Sequence, residues 1–153
     1  MKAKNSRILP LALAFAALLT RPTVVQAQFY YTVVDNVTVT ITGYYGPEGA
    51  VTIPSIINGL PVSSIGDASF YKCSTRTSVT IPGSVINIGV GAFWACTSLI
   101  NITIGNSVTS IGMCTFANCY SLTGVYFNGN APSLDPCEFD GDNNSTIYYS
   151  PVP

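Results

Sequence analysis

Three glycines 23 residues apart, Gly66, Gly89 and Gly112, are each followed after four residues by Phe70, Phe93 and Phe116, and after seven by Cys73, Cys96 and Cys119. Gapless superposition of Gly66–Ile88, Gly89–Ile111 and Gly112–Leu134 also aligns Val79 with Ile102 and Val125, and Ile81 with Ile104 and Phe127. Val85, Val108 and Ala131 fall in one further column, and the closing residues Ile88, Ile111 and Leu134 in another. A single period shared by so many columns describes a unit that cannot bury its apolar face alone. Such units stack on copies of themselves, and the chain is therefore a solenoid.

Within one unit, Ser98 to Ile104 places Ile102 and Ile104 on one face of a strand and turns Asn101 and Thr103 outward. Pro82-Gly83, Gly105-Asn106 and Asn128-Gly129 then occupy equivalent columns with turn-forming pairs. Val108-Thr109-Ser110-Ile111 reads as a second short extended stretch. Gly89 to Cys96 lacks alternation, and its spacing predicts one helical turn that buries Phe93 and Cys96. Each coil is thus expected to carry two short strands and a helical corner, with coils about 4.8 Å apart through parallel pairing.

Residues 1–27 read as a secretory leader. Lys2, Lys4 and Arg7 precede an apolar stretch from Ile8 to Leu19, and Val25-Gln26-Ala27 ends in the small residue that suits cleavage after Ala27. The apolar stretch is too short for a bilayer span of about 20 residues, so no membrane insertion is expected after cleavage. What remains keeps two cations, Lys72 and Arg76, against seven acids, a net charge of −5. That balance gives phosphate backbones nothing to hold, and nucleic acid is excluded as a partner.

The flanks read as caps. Phe29–Val34 and Val37–Ile41 around Asp35-Asn36 predict a hairpin over the open end of the first coil, and residues 28–65 form the N-terminal cap with an irregular first coil. There Asn58-Gly59 inserts a turn before Val62–Ile65. Residues 66–134 are the three repeats. Residues 135–153 are a partial repeat and C-terminal cap, keeping the Cys and Phe columns in Cys137 and Phe139 and offering a last strand at Thr146–Tyr149.

The pattern running from Ile88 to Ile111, with its joint spacing of Gly, Phe, Cys and aliphatic residues, resembles the BspA-like leucine-rich repeats of secreted and surface bacterial proteins. The resemblance covers roughly residues 52–134. It implies a leucine-rich-repeat solenoid, mainly β, and in some relatives adhesion to host or matrix proteins; it implies no catalytic residues. One departure is Arg76, which stands in the column of Leu99 and Leu122, where a guanidinium either reaches out to water or packs loosely.

The five cysteines follow the repeat. Cys73, Cys96 and Cys119 form one column, and Cys114 and Cys137, 23 residues apart, form another. All five are expected to be buried free thiols acting as small hydrophobes, the alternative being cross-links between neighbours in a column. The chain has no histidine, which removes the commonest general base and a favoured zinc ligand, so neither catalytic, cofactor-binding nor metal residues are assigned. Asp140-Gly141-Asp142-Asn143-Asn144 opens like a calcium loop, but Ser145 and Pro151 stand where that loop needs Gly and Glu.

Two surfaces are candidates for binding. Tyr71 and Trp94 share a corner column, with Tyr120 on the next corner, and they predict an aromatic ridge. Thr80, Thr103 and Tyr126 form an outward strand column. The sequence thus reads as a secreted or cell-surface module recognising an extracellular protein or glycan, the alternative being a structural envelope or matrix module with no ligand of its own. Mass spectrometry of the exported protein is expected to show an N-terminus at Gln28; an intact Met1 would contradict the leader assignment.

Overall fold

Alternation of β-branched residues with Thr, Ser and Asn, broken every few residues by turn-forming pairs, shapes the chain into short strands. The structure, a computed structural model, describes residues 28–142 and 144–150. The leader expected at residues 1–27 lies outside the described residues, as do residue 143 and residues 151–153. The strands in chain order are β1 (Phe29–Val34), β2 (Thr38–Tyr44), β3 (Gly49–Thr52), β4 (Ile56–Ile57), β5 (Leu60–Ile65) and β6 (Arg76–Thr80). They continue as β7 (Asn87–Ile88), β8 (Asn101–Ile104), β9 (Ser110–Ile111), β10 (Gly124–Phe127) and β11 (Thr146–Tyr149).

Two sheets line the solenoid. One runs β1-β2-β5-β7-β9 with β4 beside β5, and the other runs β11-β10-β8-β6-β3. Pairing between coils is parallel, and the two antiparallel pairs are the hairpins β1/β2 and β4/β5. Both hairpins turn on left-handed residues, Asp35 and Asn36 in the three-residue loop of the first and Asn58 and Gly59 in the two-residue loop of the second. Through β2, whose Val39 and Ile41 pair with Val62 and Ile65 of β5, the first hairpin covers the beginning of the stack.

Register turns the repeat columns into ladders. Val51, Val79, Ile102, Val125 and Ile147 pair in succession across the second sheet and point inward. Between the sheets the phenylalanines stack: ring centroids are 4.9 Å apart for Phe70 and Phe93, and 5.8 Å for both Phe93–Phe116 and Phe116–Phe139. Tyr44 and Phe29 extend this spine into the N-terminal hairpin. Phe70, Phe93 and Phe116 are fully buried.

The corners are not helical. Each is a run of tight turns with two left-handed residues four apart: Ala68 and Lys72, then Gly91 and Ala95, then Cys114 and Asn118. Alternate amides close turns within the coil, as Trp94 N–H to the Gly91 carbonyl at 3.0 Å. The amides between them donate to the next coil: Gly91 to Met113, Phe93 to Thr115 and Ala95 to Ala117, at 2.9–3.0 Å. A helix would direct every amide along its own axis and leave the neighbouring coil unpaired. The repeated glycines serve the same close approach. A Cβ on Gly89 would stand 2.7 Å from the Gly66 carbonyl carbon, and one on Gly112 2.6 Å from that of Gly89.

Two further expectations are corrected. Arg76 neither reaches water nor packs loosely: it lies over the Tyr44 ring, 4.8 Å from the centroid, and donates to the Gly46 carbonyl at 2.8 Å and to Thr75 Oγ1 at 2.9 Å. It ties the cap to the first repeat. The cysteines also divide. Cys114 and Cys137 form a disulfide with Cα atoms 4.9 Å apart, whereas Cys73, Cys96 and Cys119 are free. The first pair sits at successive corners, where the coil spacing falls within disulfide reach. Cys96 and Cys119 point into the interior, where their thiols donate to the Phe70 and Phe93 carbonyls at 3.0 and 3.1 Å. The neighbouring Cys119 thiol, and then burial, hold the Cys96 thiol well above the ordinary thiol range, so it stays protonated.

Replacing Phe93 by Ala removes a ring stacked on both sides and is expected to cost about 3–5 kcal/mol, against under about 0.5 kcal/mol for Thr103→Ala on the outer face. Denaturant melts of the two variants check this, and equal shifts would contradict the assignment of faces. Alkylation in denaturant without reductant should label three cysteines, rising to five after reduction.

Candidate functional site

The corner column five residues after Gly66, Gly89 and Gly112 runs Tyr71, Trp94 and Ala117, and one period further on it reaches Asp140. Turn geometry points these side chains away from the Phe spine. Tyr71 and Trp94 are each nearly half exposed and in contact, with ring centroids 5.7 Å apart and planes tilted by 57°. Lys72 Nζ lies 5.0 Å from the Tyr71 centroid, which places a cation on the ridge. Tyr120, the third member expected there, stands apart. It occupies a later step of its corner, is 63% exposed, and donates its hydroxyl to Asn118 Oδ1 at 3.0 Å.

Ala117 ends the ridge. Where a third aromatic would continue the column there is a buried methyl group, and a groove of about 320 Å³ opens beside Trp94. Its walls include Val90, Trp94, Met113, Ala117 and the disulfide residue Cys114, with Asn118 and Asp140 at its polar end. Val90, Trp94 and Met113 are exposed apolar residues, so the groove is greasy and open to solvent. The sequence alignment contains the signal for it, a small residue in an aromatic column.

The strand face is built by register. Thr52, Thr80, Thr103, Tyr126 and Tyr148 pair in succession across β3, β6, β8, β10 and β11. Thr80, Thr103 and Tyr126 therefore do stand in one column, and Tyr148 extends it. The Tyr126 and Tyr148 rings stack at 4.7 Å with planes within 8°. Gly124 makes room for the Tyr126 ring, since a Cβ there would meet Tyr126 Cε2 at 2.6 Å. This face offers hydroxyls and ring edges but no charge. Chemically, both surfaces are suited to contact.

The Asp140-Gly141-Asp142 turn does not converge on a cation: Asp140 is exposed, whereas both carboxylate oxygens of Asp142 are buried. Among the described residues, no group of three or more acidic, cysteine or histidine side chains is placed to hold a metal ion.

Solved structures share this architecture. A leucine-rich repeat protein from Bacteroides capillosus ATCC 29799 is 28% identical with a TM-score of 0.69, over 81% of this chain and 95% of that one. One from Bacteroides ovatus ATCC 8483 is 29% identical with a TM-score of 0.66, over 80% of this chain and 36% of that one. A leucine rich cell surface protein from Faecalibacterium prausnitzii A2-165 is 28% identical with a TM-score of 0.58, over 80% and 41% respectively. No curated protein matches the chain. The family model for the BspA type leucine rich repeat region matches residues 49–151 in six copies. With its stacked coils, in-register ladders and glycine-phenylalanine corners, the chain belongs to the BspA-type leucine-rich repeat family.

Proposed function

We propose that this protein works outside the cell as a recognition module, holding a protein or glycan ligand at a cell surface through the corner face around Trp94. The groove beside Trp94 carries the reading. Exposed apolar area with one polar end is costly to keep in water and useful in a contact, and Trp, Tyr and Met are favoured contact residues. The Cys114–Cys137 disulfide fits an oxidising compartment, in line with the basic-apolar start of the sequence. The similarity to a leucine rich cell surface protein points the same way.

The corner face around Trp94 is a limited surface. A standard complex buries about 1,200–2,000 Å² in total, so a single copy binds weakly and gains from several copies acting together. Retention of the purified protein on cell-surface and matrix fractions from its native surroundings tests the reading. Trp94→Ala is expected to lower retention about tenfold or more, while Thr80→Ala leaves it unchanged and both variants keep the wild-type melting curve. Equal retention of all three would place the contact away from Trp94, and no retention of any would instead favour a structural module without a ligand.

A further inference from the structure

The last corner departs from the earlier ones at two interior positions. The column of Ser69, Ala92 and Thr115 continues as Glu138, and the thiol column of Cys73, Cys96 and Cys119 continues as Asp142. In earlier coils these sites hold groups the interior can satisfy. Ser69 Oγ lies 2.9 Å from the Ile41 carbonyl oxygen and 2.6 Å from that of Gly66. Thr115 Oγ1 lies 3.1 and 2.7 Å from those of Gly89 and Gly112. Glu138 fills the same position with 1% of its surface exposed. Its two carboxylate oxygens, and the two of Asp142, are buried without a hydrogen-bond partner among the described residues. A carboxyl in such a place is costly when charged and tolerated when protonated.

We propose that Glu138 and Asp142 make the last coil a proton-dependent clasp on the groove at Trp94, seated when the two acids are protonated and loosened when both are charged. Asp140, between them in sequence, lines that groove, so the inference rests on the groove being the recognition site. The Cys114–Cys137 bridge keeps a loosened coil attached to the one before it.

The groups facing the pair offer little compensation. Burial raises the Glu138 carboxyl from 4.5 to about 7, and the negative charge of Asp135 on the same turn adds to this. The Thr115 hydroxyl and the amides of Thr115 and Phe116, from the coil before, oppose the rise without closing a hydrogen bond. Burial raises Asp142 from 3.8 to about 6, opposed by the Cys119 backbone. No Lys or Arg follows Arg76 in the sequence, so this part of the chain has no cation of its own. Both acids hold their protons more tightly in the seated coil than in an opened one. The protonation-linked part of the seated coil's stability is therefore fully present below about pH 4, falls as the pH rises through the two raised values, and is gone above about pH 7.

Native-state hydrogen exchange on the disulfide-intact protein, corrected for the intrinsic pH dependence, reads the clasp directly. Protection of amides in residues 137–142 and 144–149 is expected to fall by about tenfold or more between pH 5 and pH 8, relative to amides of residues 89–111. Emission of Trp94, the single tryptophan of the sequence, should shift over the same range. Glu138→Gln combined with Asp142→Asn should abolish both responses. Constant relative protection in the wild type, or responses that persist in the double variant, overturn the proposal. The wild-type result stands even if the variant does not fold. Neither readout uses a ligand, so a failed clasp is distinguishable from a failed recognition site, which the retention assay measures at one pH.

Discussion

Within the repeats each coil hydrogen-bonds to its immediate neighbours in one fixed register, and the rest of the structure depends on that pairing. Two strand ladders and the corner ladder all advance by one repeat per step. A side chain therefore always meets its own equivalent in the next coil. Identical neighbours are favourable where they are flat rings, aliphatic groups or small thiols, which is why the interior columns hold Phe, Ile, Val and Cys. They are unfavourable where they carry like charge, which accounts for the Thr, Ser and Asn of the outer faces.

The same rule makes the two ends different problems. At the beginning, β1 and β2 fold back as a hairpin, and Tyr44 continues the ring stack while Arg76 binds the Gly46 carbonyl. The guanidinium in a leucine column is thus part of the cap and not a defect in the repeat. Toward the other end, Phe139 continues the Phe stack, and Tyr148 and Tyr149 rest on the rings of Tyr126 and Phe127. Aromatic faces there do the covering that the hairpin does at the start.

Much of this was legible from spacing alone, because a column in the sequence is a ladder in space. The strands at Asn101–Ile104 and Gly124–Phe127, the inward Phe column and the first hairpin all follow from period and turn chemistry. What was not legible depends on direction within a corner. Gly89 to Cys96 has the same apolar spacing in a helical turn as in tight turns with left-handed Gly91 and Ala95, so the sequence does not separate the two. Cys96/Cys119 and Cys114/Cys137 share a separation of 23 residues, and only the side to which each pair points decides which one bonds. At the site, Tyr71 and Trp94 meet as expected and Tyr120 does not, because it lies three steps further round the corner. The groove is barely legible in the sequence because its maker, Ala117, differs from the aromatic residues of its column only in being small.

The bridge between Cys114 and Cys137 encloses one full repeat in a covalent ring. A protease that cuts anywhere inside that ring, for example in the exposed turn at Asn128, leaves both products on one molecule, and a pull on the two chain ends bypasses the enclosed residues altogether. The third repeat is thereby insulated from mechanical load and from the loss of its successor, a protection that the two repeats before it, whose interior cysteines remain free, do not share.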